Sequence, residues 1–146
     1  MKPVDQTVVG KERGDCMQAV LASLFEQKFE DTVNMYDYPE GKWVIPFMKW
    51  LESIGYSYDG VMNMFANEAS GIGREQAYRD LATNEGVGGY FYGSVASKTF
   101  EGVTHAVIID LNGIVVHDPN PNKAWQGVDT IATKELQYFF LFSRKG

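Results

Sequence analysis

The single cysteine of the chain, Cys16, stands at the threshold of an apolar-periodic stretch. Gly14 and Asp15 precede it, and Met17, Val20, Leu21, Leu24 and Phe25 follow at helical spacing. A glycine and a capping oxygen suit a helix entry. A thiol placed there faces unpaired backbone N–H groups, whose partial positive charge favours the nucleophilic thiolate. By type alone a lone cysteine is a small buried hydrophobe. This one is flanked by polar residues, and the partners that thiol chemistry requires occur downstream.

Those partners are a base for the thiol proton and an acceptor that orients the base. The chain has two histidines, His105 and His117. They lie on two strand-like runs, residues 103–111 and 114–118, that flank Asn112-Gly113, a strong hairpin signal. A two-residue turn there pairs Leu111 with Ile114, which puts Val107 opposite Asp118 and His105 opposite Asn120. Side chains alternate along a strand, so His105, Val107, Asp118 and Asn120 share one face and His117 points to the other. Asp118 on the diagonal and Asn120 directly across are then the two candidates to orient His105. A three-residue turn would slip this pairing by one.

Acyl transfer from a thiolate also needs N–H donors for the developing oxyanion. The backbone N–H of Cys16 is one candidate, and the side-chain amide of Gln6, folded back from the N-terminal segment, is another.

Positioning these groups requires the rest of the chain. The patterning predicts a first helix over residues 16–27 and a short turn of helix within 29–38. A second helix is expected over 43–54, with Phe47, Met48, Leu51 and Ile54 inward, Pro46 in its first turn and Gly55 as its stop. Residues 56–65 read as a short strand running into a loop, 66–73 as a loop and 74–84 as a third helix on Ala77, Tyr78 and Leu81. Residues 86–94 read as a glycine-aromatic strand, 120–127 as a proline- and asparagine-rich loop carrying Trp125, and 136–143 as a closing aromatic strand. Helices first and strands later is an α+β order with a largely antiparallel sheet. The 146 residues suit one domain, 1–146, with a single core.

The formal charge of -6 and pI near 4.8 argue against nucleic acid as a partner. One cysteine excludes an internal disulfide, and no Cys/His pair has zinc spacing, so neither a metal nor another cofactor is expected. The first 14 residues lack the apolar run of a signal peptide, and no stretch approaches the roughly 20 apolar residues of a membrane span. The expected setting is a reducing cytoplasm, without a membrane partner.

In this order the residues resemble the papain-like cysteine peptidase superfamily, and within it the bacteriocin-processing (double-glycine leader) peptidase domains and their small stand-alone relatives. There a glutamine precedes an aspartate-cysteine at a helix start, and a later histidine opens a Val/Ile strand followed by Asp-Pro. Here those positions are Gln6, Asp15-Cys16, His105-Ala106-Val107-Ile108-Ile109 and Asp118-Pro119. Met17 stands where that family carries glycine, and the spacing from glutamine to cysteine is longer.

The resemblance implies an N-terminal helical lobe carrying Cys16, packed on an antiparallel sheet that carries His105 and Asp118. Trp125, residues 88–90 and the 66–73 loop could line the cleft between them, although core packing is the commoner role for an aromatic. It also implies a hydrolase of peptide or isopeptide bonds: Cys16 attacks, His105 moves the proton, Asp118 orients His105, and Cys16 N–H with Gln6 holds the oxyanion. The same groups would support deamidation or acyl transfer. From a different class, the chain could be a binding module, phage- or host-directed, that kept the fold without turnover. The expected partner is a protein or peptide.

Overall fold

A computed structural model describes residues 1–10, 14–64 and 86–145. The expected loop at 66–73 and helix at 74–84 lie outside the described residues. The architecture is α+β. Helix α1 (Cys16–Leu24) is followed by two single 3-10 turns, Phe29–Asp31 and Met35–Asp37, and helix α2 (Val44–Ser53). Five strands come next: β1 (Tyr56–Asn63), β2 (Phe91–Ala96), β3 (Thr104–Ile109), β4 (Val115–His117) and β5 (Tyr138–Arg144). They form one sheet in the order β1-β5-β2-β3-β4, and every pairing is antiparallel.

The sheet is covered on both faces, so β3 reads as the unbroken buried run 106–109. On one face Ala106, Ile108, Tyr92 and Phe140 meet Val20, Leu21 and Leu24 of α1 and Phe47 and Leu51 of α2. On the other, Val95, Val107, Ile109 and Phe139 meet Trp125 and Leu136. Trp125 is a core residue, 2 % exposed, with its indole N–H donated to Ala96 O at 3.0 Å.

Helix α1 ends at Leu24, three residues before its expected limit, and Phe25 closes it by donating to Leu21 O. The sequence pattern shows one apolar stripe, yet residues 18–24 are all buried. The N-terminal segment accounts for part of this. Lys2 N–H bonds Ser23 O, and Val4 N–H bonds Ser23 Oγ, a hydroxyl that also donates to Ala19 O. Gln18 is satisfied from another side, donating to the carbonyls of Phe29 and Thr32.

In α2, Phe47 and Leu51 face the core as the pattern requires, but Met48, expected to point inward, is 47 % exposed. The helix presents only a narrow apolar seam to the sheet, and Met48 falls with exposed Val44 and Ile45 on its outer side. Gly55, at φ +87°, stops the helix as expected, because a residue with a Cβ is strained there. Strand β1 is longer than expected. Pairing with β5 extends it to Asn63, past an irregularity between Tyr58 and Gly60.

The β3–β4 hairpin departs from the expected register in an instructive way. The turn has three residues: Asp110 N–H bonds Ile114 O, Gly113 adopts φ +81°, and Asp110 Oδ1 accepts from the N–H groups of Asn112 and Ile114. Asn112-Gly113 favours a two-residue turn, but the carboxylate of Asp110 stabilises the wider loop by binding two of its amides. Near the turn Ile109 therefore faces Val115, one residue off the expected pairing. A bulge then absorbs one residue, and Ile108 faces His117, which is the expected pairing again. Two one-residue shifts cancel before the strand reaches Asp118.

Candidate active site

Helix α1 carries Cys16 on its first residue, and β3 carries His105 on its second. Cys16, His105 and Gln6 line one cleft together with Asn120. Asp118 stands directly after β4, fully buried, behind the imidazole. The four residues singled out from the sequence are therefore brought together.

A short bond joins His105 Nε2 to Asp118 Oδ1 at 2.6 Å. This leaves Nδ1 as the ring nitrogen free to serve the thiol. Between the two candidates for orienting the ring, the geometry selects Asp118. Asn120 supports the carboxylate instead: its backbone N–H donates to Asp118 Oδ1 at 3.0 Å, and its own side-chain oxygen accepts from Asn122 N–H. Asp118 Oδ2 accepts from the backbone N–H of Trp125 at 2.9 Å. His117, on the opposite side of β4, takes no part: its Nε2 bonds Val4 O at 2.8 Å and so carries a proton.

The electrostatics follow from these contacts. Burial alone would lower the pKa of His105, but the bonds and charges of Asp118 and Cys16 outweigh it and raise the pKa from 6.5 to about 9. Burial would likewise raise Asp118, yet the imidazole and the two backbone N–H donors hold its carboxyl below the usual range. At neutral pH the pair is thus an imidazolium against a carboxylate. The sulfur of Cys16 lies close enough to act on the same ring.

Asp15 does not do what its position suggests. A carboxylate just before α1 is expected to cap the helix, but this side chain makes no capping bond. It turns back instead to bind Thr7 N–H, Thr7 Oγ1–H at 2.6 Å and Val8 N–H at 3.0 Å. These donors on the folded-back segment win over the helix amides. The N–H of Cys16 lies in the first turn, before the first helical bond from Ala19 N–H to Asp15 O, and so has no acceptor within the helix. The segment holding Gln6 is fixed at the cleft, with Gln6 N–H bonded to Pro119 O at 2.9 Å.

The Gln6 side chain is 7 % exposed and donates from Nε2 to Val8 O, which occupies one of its two amide protons. Replacing Asp15 with alanine removes the charged acceptor of the Thr7 and Val8 amides, which lie on an exposed segment open to water, and should cost about 1–2 kcal/mol. Urea unfolding measures the loss, and faster hydrogen exchange at Thr7 and Val8 locates it. Unchanged exchange at those two amides would rule out this role for the carboxylate.

Several supporting residues carry no evident signal in the sequence. Gln126 Oε1 accepts the backbone N–H of Asp118 at 2.9 Å, while its Nε2 donates to Val116 O. Lys123 Nζ bonds Asp118 O and the carboxylate of Asp5, tying the N-terminal segment to the same loop. One signal was present. Asp118, Asn120 and Asn122 each accept from the N–H two residues on, so the Asp-Pro-Asn-Pro-Asn run is a chain of Asx turns that curls back under Asp118.

Among the described residues there is no group of three or more His, Cys, Asp or Glu side chains that could hold a metal ion, and no helix is long and apolar enough to cross a membrane. No family model, curated protein or solved structure matches this chain.

Proposed function

We propose that the chain is a cysteine-dependent hydrolase of peptide or isopeptide bonds with a papain-like arrangement, working through Cys16, His105 and Asp118. The observation that carries this reading is the 2.6 Å bond from His105 Nε2 to a buried carboxylate, on a ring that shares its cleft with a thiol at a helix start. An oriented, protonated imidazole beside a thiol is the pairing that thiolate attack requires.

In this mechanism Cys16 Sγ, as thiolate, adds to the substrate carbonyl. The carbonyl oxygen becomes an oxyanion, bound by Cys16 N–H and the remaining amide proton of Gln6. The C–N bond then breaks, and imidazolium Nδ1–H delivers its proton to the departing amine. This leaves a thioester and a neutral ring. Water attacks the thioester as His105 takes its proton, and the acid and the resting thiolate–imidazolium pair are released. Asp118 holds the ring throughout and stays ionised. An amine in place of water would give acyl transfer, and a side-chain amide as substrate would give deamidation.

Alkylation by iodoacetamide tests the reading without knowledge of the substrate. Cys16 should react stoichiometrically at pH 7, and His105→Ala should slow it by at least ten-fold, because the thiolate loses its counter-charge. Equal rates in the two proteins would leave a module that keeps the fold without turnover.

A further inference from the structure

Two depressions diverge from Cys16. One holds Gln6, His105, Asn120 and Ser97 and mixes polar with apolar walls, Val9, Phe100 and Val103 among the latter. The other, of ≈ 180 Å³, runs between the start of α1 and the sheet and is walled by Tyr36, Trp43, Tyr92, Tyr138 and Phe140. His105 lines the first and not the second. In the mechanism above the ring must hand its proton to the departing amine, so that amine lies on the His105 side. The acyl half of the substrate then extends into the aromatic depression.

Ser94 is the unusual residue there. It sits mid-strand on β2 between its cross-strand neighbours Ala106 and Tyr138, on the face turned toward α1. It is 2 % exposed, and its hydroxyl has no hydrogen-bond partner among the described residues. Buried hydroxyls are seldom left unpaired, because desolvation is then uncompensated. A serine among Tyr92, Ala106, Tyr138 and Phe140 has no packing advantage over alanine or valine. A ligand group arriving through the depression would complete it.

We infer that this depression is a specificity site for an aromatic side chain with a hydrogen-bonding tip, tyrosine above all, close to the attacked carbonyl on its acyl side, and that Ser94 is the residue that reads the tip. The inference rests on the hydrolase reading for its orientation. Aromatic walls select a ring by area and edge contacts, and a hydroxyl at the floor distinguishes tyrosine from phenylalanine.

Peptidyl vinyl sulfones, carrying tyrosine, phenylalanine or glycine at the first or second residue before the electrophile, test this directly. At one of the two positions tyrosine should label Cys16 at least ten-fold faster than glycine and roughly three- to ten-fold faster than phenylalanine. In Ser94→Ala the tyrosine-to-phenylalanine ratio should fall to about one, with both still ahead of glycine. That ratio is internal to each protein, so a change in overall stability does not affect it. Glycine matching tyrosine at both positions, or a ratio unmoved by Ser94→Ala, overturns the inference. If His105-dependent alkylation by iodoacetamide persists in that case, only the specificity site falls; if it too is absent, the hydrolase reading falls.

Discussion

Asp118→Ala is expected to lower the unfolding free energy by about 3–5 kcal/mol, the range for stripping one partner from a buried ionic pair. The carboxylate is fully buried and serves three donors at once: the His105 ring and the backbone N–H groups of Asn120 and Trp125. Alanine leaves all three without their acceptor. The denaturation midpoint in urea should fall by about 2 M, at a slope of roughly 2 kcal/mol per M.

Asp118→Asn separates this structural duty from the chemical one. The amide nearly matches the carboxylate in shape, so it should fold. It can offer oxygen to only one side, and it removes the negative charge that holds the imidazolium. On the hydrolase proposal, turnover should then fall by about 10⁴, by analogy with the effect of such a substitution in serine-type triads. An Asp118→Asn protein with undiminished turnover, or an Asp118→Ala protein as stable as its parent, would remove the carboxylate from the site.

The second large effect is a pH dependence with a definite sign. His105 has a folded pKa of about 9 against 6.5 for the free side chain. A raised pKa means that the folded state binds the proton more tightly, so this contribution is complete below about pH 6.5 and disappears as the pH rises through 9. Its size is on the order of 3 kcal/mol. Asp118, held below its usual range, contributes in the opposite direction: its share is present above about pH 4 and lost as acid protonates it.

Stability should therefore be greatest between roughly pH 4 and 6.5 as far as this pair is concerned, and should decline steeply toward pH 9. Urea titrations at pH 6, 8 and 10 read that slope. Part of the rise comes from the Cys16 sulfur, so Cys16→Ala should flatten the slope, and His105→Gln should abolish it. A profile level from pH 6 to pH 10 would mean that ring and carboxylate do not interact in solution.

The residues of the site are legible in the chain because they depend on type and order. One cysteine before an apolar period, a histidine opening a buried strand and an Asp-Pro closing the next are local patterns, and each corresponds to a local backbone state. Strand pairing is less secure. The side-chain amides and carboxylates of turns compete with the backbone, and Asp110 adds a residue to the hairpin that the later bulge removes. Face assignments for His105, Asp118 and His117 survive this compensation, but the turn itself differs from the one that Asn112-Gly113 predicts.

What the sequence alone determined is the α+β class and the helix start under Cys16, and it named Gln6, Cys16, His105 and Asp118 as the candidates that the fold brings near one another. Periodicity and turn chemistry act over a few residues and are written in the chain. Tertiary structure decided which groups satisfy which. It sent Asp15 to the amides of Thr7 and Val8 instead of the helix, gave Asp118 rather than Asn120 to the imidazole, and left Ser94 without a partner among the described residues beneath an aromatic pocket. Those outcomes depend on competition among donors and acceptors far apart in the chain. No local pattern encodes that competition, because the winner is set by distance and burial once the layers have packed.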